Sequence, residues 1–349
     1  MRELVEHVWF GDDVFARVAR AALVPSEVLY RASIGMREML YDTGLFTSHD
    51  PVIPAVSVGN VTVGGTGKTP VAAWIAAELA ERGARPAIVL RGYGEDEPLV
   101  HARLNPDVPV IVAADRVAGI VQARDGGATI AVLDDAFQHR QVSREADIVL
   151  VSADRWSPTS RLLPAGPLRE PLAALGRATI IVVTRKAATD AEVGVVNESL
   201  AEIAPRVPRS TVRLSPEELR SVTTSPAAES RRPITDVEGR RVRLLTAIGD
   251  PRAFVKQIEM LGATVTSDIY PDHHDFQSGE IARFVRSVPS DGLAVCTLKD
   301  AVKIGDQWPR EAPTLWYVSQ RVSVERGVGG VEHILDDLTR VPAPARRER

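Results

Sequence analysis

The residues best suited to chemistry lie in one short run, Asn60-Val61-Thr62-Val63-Gly64-Gly65-Thr66-Gly67-Lys68-Thr69. An apolar, strand-like run precedes it and a helical pattern follows, which is the setting of a phosphate-binding loop. Gly64, Gly65, Thr66 and Gly67 let backbone N–H groups close around phosphate oxygens, and a helix start favours an anion. Lys68 can reach the outer phosphates, and the Thr69 hydroxyl can ligate Mg²⁺. The strict spacing would begin with glycine where this chain has Thr62.

A second element fits the first. The apolar run Ile130-Ala131-Val132-Leu133 ends in Asp134-Asp135, so a buried strand delivers carboxylates to the sheet edge where ligands of parallel sheets bind, and either aspartate can serve the metal. The run 179–184 leads into Arg185-Lys186-Ala187-Ala188, with no Asn-Lys-x-Asp element to read guanine, so ATP is the expected nucleotide. Two further groups are chemically ambiguous. Glu95-Asp96-Glu97 reads first as a solvated acidic loop. His273-His274, between Asp272 and Asp275, lacks a third well-spaced ligand for a metal site.

These groups need a scaffold. Short Val- and Ile-rich runs at 55–58, 87–90, 108–113, 129–133, 148–152 and 179–184 alternate with helical patterns at 68–82, 116–124 and 191–203, the signature of a parallel α/β fold. A Pro-, Arg- and Ser-rich stretch, 205–240, reads as an extended connection. A second alternation follows, with strands at 242–247, 293–297 and 315–318 and helices at 252–261, 279–287 and 331–340. The expected architecture is a two-lobed P-loop NTPase fold: residues 51–204 as the kinase-type first domain, 241–341 as a smaller C-terminal α/β lobe, and 342–349 as a tail.

Residues 1–50 belong to neither lobe. Val5, Val8, Trp9, Phe15 and Val18 share one helix face, with Arg17, Arg20, Arg31 and Arg37 nearby, so the segment either packs on the first lobe or lies on a membrane surface. In the 349 residues no apolar run approaches the roughly 18–20 needed to span a bilayer. A formal charge of −4 gives no basic field for nucleic acid. The single cysteine, Cys296, lies in an apolar run and reads as a buried, reduced thiol.

Blocks spread over nearly the whole chain resemble one family in order: 58–70, Arg91-Gly92-Tyr93-Gly94, Asp96-Glu97-Pro98, Asp134-Asp135-Ala136-Phe137-Gln138-His139, the run 162–171, Thr246-Ala247-Ile248-Gly249-Asp250-Pro251, Asp272-His273-His274 and Thr297-Leu298-Lys299-Asp300. The family is tetraacyldisaccharide 4′-kinase, the lipid A 4′-kinase. The resemblance implies a kinase using ATP and Mg²⁺ on the 4′-hydroxyl of an acylated glucosamine disaccharide 1-phosphate. It places the enzyme peripherally on the cytoplasmic face of the bacterial inner membrane, with no obligate protein partner.

Carried over by motif, Asp96 becomes the catalytic base with His273 as its partner from the second lobe, beside Lys68. Thr69, Asp134, Asp135 and Glu170 become the metal environment. Arg91, Arg116 and Arg169 are implied to meet phosphates of ATP or substrate, with Asn60, Gln138 and His139 in the substrate site. The connection from Gly94 to Asp96 is shorter than the family pattern, which leaves Glu95 and Glu97 as alternative bases. Leu90, Ala136 and Leu298 depart from the family's usual serine, glycine and glutamate. A P-loop switch ATPase or GTPase, or a metallochaperone, is the alternative function.

Overall fold

The computed structural model describes residues 2–92, 94–223 and 229–340; Tyr93 and the expected tail at 342–349 lie outside the described residues. Two helices come first, α1 (Arg2–Phe10) and α2 (Val14–Asp42). Asp13 caps α2 by accepting from Ala16 N at 2.8 Å, and Arg20 closes the corner onto the carbonyls of Val8 and Gly11 at 2.6 and 2.7 Å. Pro25 lies inside α2, whose helix continues through it.

The first lobe contains β1 (Ala55–Asn60), α3 (Lys68–Glu81), β2 (Pro86–Leu90), α4 (Asp96–Leu104), β3 (Val110–Val112), α5 (Arg116–Asp125), β4 (Ile130–Asp134), β5 (Ala146–Ser152), β6 (Ile180–Arg185) and α6 (Asp190–Ile203). Every residue of β1, β2, β4 and β6 is buried. That is why these strands read as continuous apolar runs, covered on both faces by helices. β1 pairs in parallel with β4 on one side and β5 on the other. The chain leaves β1 through α3 to reach β2, beyond β4, so the loop after β1 opens at a switch point of the sheet.

The chain then runs through β7 (Arg209–Ser221), β8 (Arg231–Pro233), β9 (Arg241–Thr246), α7 (Pro251–Met260), β10 (Thr264–Ile269), α8 (Ser278–Ser287), β11 (Leu293–Thr297), α9 (Leu298–Ile304), β12 (Leu315–Arg326) and α10 (Val328–Arg340). Among the described residues the strands form one sheet, in the order β10-β9-β11-β12-β7-β6-β5-β1-β4-β2-β3, with β8 on β7. Its pairs are parallel except at β12/β7 and β7/β8.

Two expectations about the lobes are corrected. The stretch expected as a linker, 205–240, contains β7 in the interior of the sheet, with Val212, Leu214 and Leu219 fully buried. Pro216 hid it from the sequence pattern; that residue sits where the β7/β12 register shifts between Val318 and Gln320, an irregularity that tolerates a missing N–H. The terminal helix α10 does not pack on the second lobe. Long β12 carries the chain back, and Val331, Ile334, Leu335 and Leu338 join Val71, Ile75 and Leu79 of α3 in the first-lobe core, each buried side chain contributing about 1.5–3 kcal/mol. Cys296 is fully buried and its thiol pKa is pushed well up by burial, as expected of an inert core cysteine.

Candidate active site

The loop between β1 and α3 is a built cradle. Gly64 and Gly67 take φ of 99° and 85°, a left-handed geometry that favours glycine. A Cβ on Gly67 would also collide with the Leu214 side chain. Gly67 sits at the cap of α3 with no side-chain cap bond, which leaves the first-turn N–H groups for an anion. Side chains hold the outside of the loop: Asn60 Nδ2 donates to Thr66 Oγ1 at 2.8 Å, Thr184 Oγ1 to Thr66 O at 2.8 Å, and Lys186 Nζ to Gly65 O at 2.9 Å.

Asp135, just past β4, faces this cradle. Lys68 Nζ lies 3.6 Å from its Oδ1, and Arg169 Nη1 donates to both of its oxygens at 2.8 and 2.9 Å. Burial alone would raise its pKa, but the charges of Lys68 and Arg169 hold it below the ordinary value. Asp134 is buried, with Oδ2 2.8 Å from His101 Nε2, while its buried Oδ1 has no protein hydrogen-bond partner. That orphaned oxygen, the Asp135 carboxylate and the Thr69 hydroxyl are hard oxygen donors suited to Mg²⁺. Among the described residues no group of three or more His, Cys, Asp or Glu forms an all-protein metal cage. A P-loop metal does not need one, because substrate phosphates complete its shell.

Glu170, also expected in the metal environment, lies in an ion-pair network. It is fully buried, and its two oxygens accept from Arg37 Nη2 and Arg177 Nη2, both at 2.7 Å. One of these arginines comes from α2 and the other from the lobe, so Glu170 ties the two together as an ion-pair hub. Arg116 is buried too, donating to Ala113 O at 2.6 Å and to Asp134 O at 3.4 Å, so it braces the β4 end from behind. Gln138 Nε2 donates to Asn60 O at 2.8 Å. His139 has its pKa pushed down by burial and then by Arg116 and Arg144. Arg91 lies exposed just beyond β2.

Asp96 opens α4 and is 3% exposed. Its Oδ1 lies 3.1 Å from His273 Nδ1, and its Oδ2 lies 3.7 Å from Lys299 Nζ and 4.0 Å from Lys303 Nζ. Burial works to raise the Asp96 pKa, yet the His273 hydrogen bond and the two lysine charges outweigh it and lower it to about 2. The hydrogen bond to Asp96 in turn raises the His273 pKa. Glu97 keeps a raised pKa through burial and the nearby Asp134 charge, and Glu95 is exposed. Asp96 is therefore the member of the acidic triplet that meets the histidine. Among the described residues, Asp135 and His273 are also the two non-glycine positions with left-handed φ, 53° and 60°, and such strain gathers at functional sites.

One cleft of about 620 Å³ lies between the lobes, lined by the loop 63–70, Glu97, Asp135, Arg169, His273 and Lys299 among others; buried Asp96 adjoins it through its contact with His273. The sequence reading quoted Lys299 within a family block without giving it a role and passed over Lys303; their i,i+4 spacing on α9 was the available signal. Lys186 and His101 carried none that spacing alone could resolve.

A glycine loop at a sheet switch point, a lysine and an aspartate facing across it, and a carboxylate–histidine pair closing the cleft define a P-loop phosphotransferase. The chain belongs to the tetraacyldisaccharide 4′-kinase family: the family model described as Tetraacyldisaccharide-1-P 4'-kinase matches residues 19–97 and 95–340. The two matched segments meet at the start of α4. A tetraacyldisaccharide 4′-kinase from Halorhodospira halophila is 33% identical over 355 residues, covering 96% of this chain and 97% of that one. One from an Anaeromyxobacter species is 34% identical over 363 residues, covering 96% and 95%. The solved structure of "apo" form LpxK from Aquifex aeolicus in complex with ATP aligns with a TM-score of 0.70 at 26% identity, covering 92% of this chain and 99% of that one. The chain is thus a kinase of lipid A biosynthesis that acts on a lipid disaccharide and uses ATP. A switch ATPase or metallochaperone is not favoured.

Proposed function

We propose that Asp96 accepts the proton of the sugar 4′-hydroxyl as the γ-phosphoryl group of ATP is transferred to it, with His273 orienting the carboxylate. The observation that carries this is the 3.1 Å contact between Asp96 Oδ1 and Nδ1 of His273, which lines the same cleft as the phosphate cradle. A sugar hydroxyl is barely acidic, so an acceptor matters late in transfer, when the oxygen has begun to bond to phosphorus. A carboxylate with a pKa of about 2 is fully ionised at physiological pH. It is a weak base in the ground state, so its contribution is one of position and charge at the transition state.

Lys68 and Arg169 neutralise the phosphate side of the cleft. Thr69, Asp134 and Asp135 would hold Mg²⁺, which supplies charge stabilisation on the phosphoryl oxygens when bound. Asp96 comes from one lobe and His273 from the other, so seating of the lobes assembles the pair and excludes water.

The acceptor's acyl chains require a lipid surface, and α1 and α2 supply a face for it. Val14, Phe15, Val18, Val28 and Leu29 are exposed beside Arg17 and Arg31, a combination that suits an anionic leaflet. No helix among the described residues is long and apolar enough to cross a membrane. Use of ATP and of an acylated acceptor supports a place at the cytoplasmic leaflet of the inner membrane.

The test is Asp96→Asn, which keeps the side chain's shape but cannot accept a proton. It should lower kcat by roughly 10²–10⁴ while leaving nucleotide affinity within about twofold of wild type. Unchanged kcat would exclude Asp96 as the base.

A further inference from the structure

Behind the phosphate cradle, two cations of the first lobe grip one loop of the second. Lys186, just past β6, places Nζ 2.9 Å from Gly65 O and 3.0 Å from Asp250 Oδ2. The two side chains are only 10% and 7% exposed. Arg155, just past β5, donates Nη1 to Gly249 O at 2.5 Å. Asp154 fixes the segment that carries the lysine, accepting from Lys186 N at 2.8 Å and Ala187 N at 2.7 Å. On the other side, Asp250 caps α7, and Gln257, two turns along, reaches back to Leu214 O at 2.6 Å. The backbones are pressed together: a Cβ on Gly65 would lie 2.7 Å from Asp250 Cβ, and one on Gly249 would lie 2.6 Å from Gly65 N.

This arrangement bears on the phosphates. In a trans peptide the C=O and N–H point in opposite directions, so fixing the outer carbonyls of the loop sets the direction of its N–H groups. Thr184 does this at Thr66 O from within the first lobe. Lys186 does it at Gly65 O with an ammonium that is simultaneously bound to the second lobe; the N–H of that peptide, on Thr66, donates to Gly64 O at 2.8 Å, so the lysine holds the turn that shapes the cradle for the phosphates. Removing that ammonium leaves a loop carbonyl without its donor and a buried carboxylate without its cation.

We infer that Lys186 is a positioning residue for the ATP phosphates, and that Asp250 makes its hold on the loop depend on the seating of the second lobe. The inference rests on reading the Lys68 loop as the nucleotide cradle. It gives the cleft two coupled interlobe contacts: Asp96 with His273 on the acceptor side, and Lys186 with Asp250 behind the nucleotide.

The experiment is equilibrium binding of a fluorescent N-methylanthraniloyl-ATP, with Mg²⁺, to the full chain and to Lys186→Met, Asp250→Asn and the double variant. Acceptor KM and thermal midpoints are measured alongside. Lys186→Met should weaken binding about tenfold, Asp250→Asn by a few-fold, and the double variant should be no weaker than Lys186→Met. Acceptor KM should stay within about twofold, and Lys186→Arg should recover most of the affinity. Asp250→Asn retains the oxygen that caps α7, so it carries the test if Lys186→Met does not fold. Nucleotide binding by Lys186→Met within twofold of wild type, or losses that multiply in the double variant, would overturn the inference. Wild-type protein that binds no nucleotide would instead remove the cradle reading, and this inference with it.

Discussion

His273 Nδ1 stands 3.1 Å from Asp96 Oδ1 although 177 positions separate them in the chain, and the contact joins the two lobes across the cleft. Its electrostatics give a titration that can be read directly. His273 has its pKa raised above the ordinary 6.5, chiefly by the hydrogen bond to Asp96 and against the effects of burial and Lys299. In an NMR titration the His273 midpoint should lie above 6.5 in wild type and fall in Asp96→Asn. A midpoint unmoved by that substitution would contradict the pairing.

The same shifts fix the pH window of the interlobe contact. The raised His273 pKa contributes stability that is complete below about 6.5 and is lost as pH rises through the folded-state midpoint. The depressed Asp96 pKa contributes stability that is present above the ordinary 3.8 and lost as pH falls through about 2. Unfolding free energy measured against pH should therefore show a decline as pH rises above about 6.5 in wild type that is absent in His273→Gln.

Glu170 makes a prediction separate from catalysis. Replacing it with Gln removes the charge that two arginines share in a fully buried position. Both arginines are partly exposed and keep Glu38 as a partner, so the loss should be about 1–3 kcal/mol in urea unfolding, with the Mg²⁺ dependence of turnover unchanged. A shifted Mg²⁺ midpoint without loss of stability would place Glu170 in the metal environment instead.

Gly67 offers a backbone test. With φ at 85° and the Leu214 side chain in the way of a Cβ, Gly67→Ala should cost about 1–3 kcal/mol of strain. Isothermal titration should show weaker nucleotide binding. Adding Leu214→Ala should recover only part of the affinity, since relieving the clash leaves the φ penalty in place.

Membrane association should depend on the exposed apolar face of α2, where Leu29 is 73% exposed. Phe15→Ser with Leu29→Ser should reduce flotation with anionic vesicles and raise acceptor KM, leaving the affinity for ATP unchanged. Full flotation of the double variant would move the contact elsewhere.

The phosphate cradle was legible because its residues are contiguous and its flanking strand and helix have clear periods. β1, β4 and β6 were legible for the same reason, being buried throughout. The Asp96–His273 pair came from resemblance and not from spacing, since Glu95-Asp96-Glu97 alone reads as a solvated loop. Burial and the lysines of α9 distinguish Asp96 from its neighbours, and both are properties of the tertiary fold. β7 was hidden by Pro216 and its arginines, and the packing of α10 by a long-range return through β12. The ion pairs of Glu170 were not legible because Arg37 and Arg177 come from other elements, so nothing local pointed to them.

The most direct test of the central claim is transfer of labelled γ-phosphate from ATP to a tetraacylated glucosamine disaccharide 1-phosphate in detergent, comparing wild type with Lys68→Ala and Asp96→Ala. Labelled lipid from wild type, reduced at least about 100-fold in both variants, is the predicted result. Transfer that survives Asp96→Ala while Lys68→Ala abolishes it would contradict the assignment of Asp96 as base, and wild-type ATP hydrolysis indifferent to the lipid would contradict the account as a whole.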